Sequence, residues 1–259
     1  LTNLAPTREE LDSIFLRKYG SPLSWSPRLR RRFGYFTPDD VYETVVAARV
    51  KEGVSWLDVG GGRDIFPSNP AEARRLTALC RRVTGVDPSD NILENPFVTE
   101  RVQSFIEDYE SAEPFDLLTL RMVAEHIEHP RKAVAAMRRL VRPGGAVVLY
   151  TVNKSAPTTW ASWALPFRTH HFFKRVLWNS EERDTFPVVY KMNTRRRLHE
   201  LFQEAGFEER LFLRLPDCRI FTRWRWLNAL ELSAWRLCEA LALPYPESCL
   251  LGVYERGPA

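Results

Sequence analysis

In Trp56-Leu-Asp-Val-Gly-Gly-Gly62 an apolar run stops at an acid, Asp58, and at three consecutive glycines, Gly60, Gly61 and Gly62. Such a pattern reads as a buried strand that turns so tightly that bare backbone can approach a ligand. The acid narrows the choice of ligand. A phosphate would be repelled by Asp58, whereas an ammonium group would be attracted to it. No Lys-Ser or Lys-Thr follows the glycines, and their spacing is not Gly-x-Gly-x-x-Gly, so neither a phosphate-gripping P-loop nor a dinucleotide site is expected. Asp87 closes a second short apolar run and is followed by Pro88. A carboxylate there can accept both hydroxyls of a ribose, or it can cap the turn that Pro88-Ser89-Asp90 begins. Two acids at successive strand ends point to a nucleoside with a cationic tail. His126 is the candidate base, because an imidazole can take a proton from an alcohol or phenol at neutral pH. A capping or packing role for His126 stays open, and Glu125 and His129 are weaker candidates.

These residues need elements to hold them. Strands are predicted over 54–59, 82–86, 102–106, 115–120 and 146–152, with two late strands over 208–215 and 248–254. Helices are predicted over 70–81, 130–141 and 193–205. The alternation argues for an α/β fold with a parallel sheet covered on both faces. Ligands of such sheets bind beyond the carboxyl ends of the strands, near the switch point. The strand-end residues are Asp58 with its glycines, Asp87, Ile106 with Glu107, Arg121 and Asn153. With 259 residues and 44% hydrophobic content, one core with insertions is expected. No apolar run is long enough to span a bilayer, and the first residues lack the layout of a signal peptide. Four cysteines without metal or disulfide spacing point to reduced thiols in a cytoplasmic protein. The net charge of +4 is scattered, which makes nucleic acid an unlikely partner.

Taken in order, Leu57-Asp-Val-Gly-Gly-Gly62, Thr84-Gly-Val-Asp87, Phe115-Asp-Leu-Leu118, Ala124-Glu-His-Ile-Glu-His-Pro130 and Leu140-Val-Arg-Pro-Gly-Gly145 resemble the motifs of class I S-adenosylmethionine-dependent methyltransferases. The nearest subgroup is the ubiquinone-biosynthesis O-methyltransferase-like (methyltransferase type 11) group. Its Leu-Glu-His-Val-x-x-Pro and Ser-Thr-Leu-Asn-Arg runs have counterparts in residues 124–130 and in Tyr150-Thr-Val-Asn-Lys154. The resemblance implies a Rossmann-like, doubly wound seven-stranded sheet with the last strand antiparallel, an N-terminal helical cap and two inserts. It implies S-adenosylmethionine as cofactor, with Asp58 and Gly60, Gly61 and Gly62 around the methionine part. Asp87, next to Pro88, would bind the ribose; Ile106 and Glu107 would border the adenine, and Arg121 would line the same site.

Departures limit what carries over. Asp64 stands where the loop usually has its last glycine, and the interval from Asp58 to Asp87 is longer than usual. Met122 occupies the place of an acid that the ubiquinone subgroup can use for a divalent metal. A thioether is a poor ligand for a hard cation, so no metal is expected.

Substrate choice falls to the less regular parts of a single domain, 1–259. Within 1–53, a segment with four arginines and several aromatics, residues 22–36, reads as a cap or lid over the core 54–152, with Tyr35 against the sulfonium; contact with RNA or an anionic membrane is the alternative. An insert over 155–192 is expected to hold the acceptor through His170 or His171, with Asn153 and Tyr190 beside it. A second insert, 217–247, contains a helical stretch, 222–243, that sets Arg225, Asn228, Glu231, Arg236 and Glu239 on one narrow face with the remainder apolar. That arc must bury against the domain itself, a dimer mate or a membrane, so monomer and homodimer both remain open, as does peripheral membrane contact. The expected chemistry is methyl transfer to a small-molecule or lipid-linked acceptor, foremost at oxygen. Transfer to nitrogen or carbon, or a cofactor-binding subunit without turnover, are the alternatives.

Overall fold

The computed structural model describes residues 5–156 and 186–258. Three helices lead into the sheet: α1 (Arg8–Tyr19), α2 (Trp25–Phe33) and α3 (Pro38–Ala47). Thr7 and Thr37 open α1 and α3 with capping boxes, each hydroxyl accepting from the N3 amide while Glu10 or Asp40 reaches back to the cap. Then come β1 (Ser55–Val59), α4 (Pro70–Thr77), β2 (Arg82–Asp87), β3 (Glu100–Gln103), β4 (Phe115–Arg121), α5 (Pro130–Leu140) and β5 (Val141–Val152). The described chain ends with α6 (Arg195–Glu204), β6 (Phe207–Leu215), α7 (Arg225–Ala240) and β7 (Cys249–Arg256).

The strands form one seven-stranded sheet in the order β3-β2-β1-β4-β5-β7-β6. Pairs among β1 to β5 are parallel, and β7 runs antiparallel to both β5 and β6. This is the doubly wound sheet with an antiparallel last strand that the motifs implied. The order reverses between β1 and β4, which creates the switch point directly beside Asp58. Strand alternation sends Leu57, Val59, Leu118 and Leu120 into the core under α5 and α6, and Trp56 and Leu117 into the core under α3 and α4. A third, small cluster of Tyr35, Cys218 and Leu232, with Phe33 and Trp235 against it, joins α2 to α7.

Three expectations need correction. The third strand is Glu100–Gln103, so Ile106 and Glu107 lie in the turn after it and not at its end. The fifth strand starts at Val141, immediately after α5, with a register shift opposite Phe115 and Leu117. Asn228 and Glu231, from the polar face of α7, point inward with Leu232, while Arg225, Arg236 and Glu239 of that face stay exposed. Asn228 donates to the Cys218 carbonyl and to Glu231, and the Glu231 carboxylate accepts from the Ile220 and Phe221 amides. These two side chains satisfy the turn that precedes the helix, and that leaves Trp226, Leu230 and Leu237 exposed. Among the described residues no helix is long and apolar enough to cross a membrane.

Candidate active site

Asp58 lies in the central strand with its side chain 2% exposed. Its Cα partner across β1 and β4 is Thr119, whose hydroxyl donates to Asp58 Oδ1 at 2.6 Å. The same hydroxyl accepts from the Trp56 indole at 2.8 Å. Asp58 Oδ2 is buried and has no hydrogen-bond partner among the described residues. Burial pushes the Asp58 carboxyl up to about 7, and nearby Asp87 adds to this, while the Thr119 hydroxyl and Arg121 pull the other way. Oδ2 faces Gly61, where a Cβ would collide with the carboxylate; only glycine leaves room. A buried, unpaired carboxylate oxygen beside bare backbone is costly unless a donor or cation completes it. The ammonium of S-adenosylmethionine fits that requirement.

Asp87 ties the loop to the second strand. Its Oδ2 accepts from the Gly62 amide at 3.0 Å and its Oδ1 from the Ser89 amide at 2.8 Å. The turn-capping role is therefore present in the structure. Asn95 completes the loop from behind, donating to the Gly62 carbonyl at 2.9 Å while its own Oδ1 accepts from Phe97. Pro88 is held by Gln103, which donates to its carbonyl. Ile106 is buried, Glu107 is half-buried, and Phe105 beside them is exposed.

The turn after β4 closes onto the glycines. Met122 takes a left-handed conformation with φ 54°, and the Val123 side chain occupies the space where Gly60, at φ 70°, would carry a Cβ. A 3-10 turn, Ala124–His126, follows and carries His126 to this edge. His126 Nδ1 lies 3.2 Å from the Pro187 carbonyl, a partner that can only accept. In the neutral ring this contact takes the Nδ1–H tautomer and leaves Nε2 as the acceptor. The Glu125 carbonyl accepts from the Val189 and Tyr190 amides, which draws Tyr190, itself left-handed at φ 48°, to the His126 turn. The Glu125 carboxylate is buried on Thr151, whose hydroxyl donates to it at 2.7 Å and accepts from Asn193. Burial raises the Glu125 carboxyl against the pull of Thr151.

Other predicted residues are used differently. Tyr35 is 1% exposed, its ring edge-on to Trp235, its hydroxyl donating to the Pro216 carbonyl and accepting from the Cys218 amide. It has no surface to offer a sulfonium; it latches the cap to the 217–247 insert. Arg121 is engaged by Asp39 through Nε and Nη2, so it joins β4 to α3. Asn153 is spent on the chain as well, donating to the Glu247 carbonyl and, through its amide, to that of Ser248, while its Oδ1 accepts from Ser155. His170 and His171, with most of the 155–192 insert, lie outside the described residues. Thr119 and Asn95 were not foreseen. The signal for Thr119 was a polar residue between Leu118 and Leu120 of the fourth strand; for Asn95 the sequence holds none that we can identify.

A family model described as a methyltransferase domain matches residues 29–210. The ubiquinone biosynthesis O-methyltransferase of Maricaulis maris is 27% identical over 143 residues, covering 48% of this chain and 54% of that protein. That of Thiobacillus denitrificans is 33% identical over 114 residues, covering 40% and 47%. The chain thus spans about half the length of the curated relatives it matches. Among solved structures, the N-methyltransferase NodS from Bradyrhizobium japonicum has a TM-score of 0.50 at 14% identity, over 88% of this chain and 96% of that one. At that identity the likeness shows the fold alone.

Proposed function

The chain belongs to the family of class I methyltransferase domains, and on that premise we propose that it transfers the methyl group of S-adenosylmethionine to a small-molecule or lipid-linked acceptor, with oxygen as the receiving atom. The observation that carries the reading is the buried, unpartnered Oδ2 of Asp58 against Gly61. Bound S-adenosylmethionine supplies an electrophilic methyl group on a sulfonium. Asp58 Oδ2 holds the ammonium of the donor, Asp87 accepts the ribose hydroxyls, and Ile106 and Glu107 border the adenine. His126 Nε2 takes the acceptor's proton, and Tyr190 borders the acceptor from the segment docked on the His126 turn. The preference for oxygen draws on the O-methyltransferase relatives and on an imidazole with an open Nε2, since a hydroxyl gains more from a base than a neutral amine does.

Calorimetry with S-adenosylmethionine and its demethylated product should give micromolar binding, on the order of 7 to 9 kcal/mol. Binding of a nicotinamide dinucleotide instead would sink the assignment. Incubation with labelled donor and extract of the native host should then identify the acceptor, and donor binding without any labelled product would favour a subunit that has lost turnover. His126→Gln should lower turnover about 100-fold with donor affinity nearly unchanged, and activity should partly return at high pH. A loss of less than about threefold would retire the base role.

A further inference from the structure

The inward turn of Asn228 and Glu231 leaves α7 with its apolar stripe in solvent. Trp226, Leu230 and Leu237 are 66%, 59% and 59% exposed, and Leu241 just past the helix is 58% exposed. Their spacing of four, seven and four residues keeps them in one line along the helix. A contiguous exposed stripe of large apolar side chains marks an interaction surface. Around it the charge is almost wholly positive. Arg223 and Arg225 lie at the start of α7, and the Arg225 guanidinium rests over the Trp25 ring at 5.6 Å, where α2 adds exposed Arg28, Arg31 and Arg32. Residues 22–36 contain no acid. Of the two acids in α7, Glu231 is turned inward and Glu239 is paired with Arg236. Among the described residues, the ion pair made by an α2 arginine is that of Arg31 with Asp12, at 3.9 Å.

The stripe also has a definite place. Leu215, at the end of β6, pairs with Cys249, which pairs with Val152 at the end of β5, so the insert leaves the sheet at the carboxyl edge that carries Asp58 and Asp87. We propose that α7, with the arginines of α2, docks this edge of the molecule on an anionic lipid surface. Trp226 and the leucines enter the boundary between headgroups and acyl chains, and the arginines meet the headgroup phosphates. A second copy is a poorer occupant, because a two-fold pairing would set arginine-flanked stripes against each other with no unpaired acid on α2 or α7 to offset them. The docking does not depend on methyl transfer.

The test is co-sedimentation of the full chain with phosphatidylcholine vesicles that contain about a third phosphatidylserine, against vesicles of phosphatidylcholine alone. At low salt, partition should be about tenfold or more greater on the anionic vesicles, and it should fall about tenfold in roughly 0.5 M salt. The double variant Trp226→Ser and Leu237→Ser should reduce it about tenfold, with an unchanged melting temperature because both side chains already stand in water. Failure of the wild-type chain to bind anionic vesicles at low salt would overturn the proposal. So would a dimer that the double variant converts to monomer, since the stripe would then face a second copy. Donor binding is measured by calorimetry on the same preparations, so loss of one reading leaves the other standing.

Discussion

Asp39 and Asp58 are both buried, at 4% and 2% exposure, yet they are pushed in opposite directions. Burial raises each of them. At Asp39 the effect is outweighed by Arg121, Arg219 and Lys18, which hold the carboxyl at about 2. Its Oδ1 takes Arg121 at 2.9 Å and its Oδ2 takes Arg219 at 2.6 Å, so cap, sheet and insert meet on one neutralised group. Among the described residues Asp58 has one hydroxyl and no ion pair, and burial pushes its carboxyl up to about 7. An acid that serves the fold is compensated within the chain. On the proposed reading Asp58 serves a ligand, and the chain leaves it uncompensated until the ligand arrives.

The sharpest test exchanges each acid for its amide. Asp58→Asn should abolish measurable donor binding, a loss of about 100-fold or more by calorimetry, while raising the stability of the unliganded protein at pH 8 by about 2 to 4 kcal/mol in denaturant unfolding. Asp39→Asn should do the reverse, costing about 2 to 3 kcal/mol because Arg121 is left unpaired and Arg219 keeps only Asp217; the partial exposure of both guanidiniums limits the loss. If both amides shift stability in the same direction, the contrast fails. Asp87→Ala should weaken donor binding by about 2 to 3 kcal/mol, since a ribose partner is lost and the Gly62 and Ser89 amides are released.

Acidity separates the two groups by sign. Asp39 is depressed, so its stabilisation is present above about pH 4 and is lost as pH falls towards 2. Asp58 is raised, so its contribution is fully present below about pH 4 and is lost as pH rises through about 7. Unliganded stability should therefore decline between about pH 4 and 7, and Asp58→Asn should flatten that decline. The smallest effect expected is on the donor. An ammonium needs the ionised carboxylate, so binding at pH 6 should be about tenfold weaker than at pH 8, with proton release measurable in buffers of different ionisation enthalpy.

What the sequence revealed follows the range of each interaction. The glycine loop and the strand-end acids Asp58 and Asp87 were legible because strand, turn and acid are neighbours in the chain. Thr119 acts on Asp58 from 61 residues away, through strand register that periodicity does not encode. Tyr35 was read as a lid residue because arginines and aromatics surround it; its hydroxyl is taken by Pro216 and Cys218, more than 180 residues further along the chain. The helical wheel of α7 grouped Asn228 and Glu231 with Arg225, Arg236 and Glu239, whereas the structure buries the first two with Leu232 and exposes the other three. Orientation depended on amides at Ile220 and Phe221 that needed an acceptor, which Glu231 supplies.

The Thr119 hydroxyl fixes where a proton can land on Asp58. An ionised carboxylate can only accept, so the Thr119 hydroxyl, which accepts from the Trp56 indole, gives its own hydrogen to Oδ1. While that bond is kept, Oδ1 is occupied and a proton taken up by Asp58 goes to Oδ2, the atom that faces Gly61. In acid the pocket thus turns from an anion into a hydrogen-bond donor at a single point, repelling an ammonium and welcoming a carbonyl or hydroxyl there. A donor analogue whose amino group is replaced by hydroxyl should bind weakly at pH 8 and lose its disadvantage as the pH falls below 7, so that the preference for the natural donor narrows without any movement of the backbone.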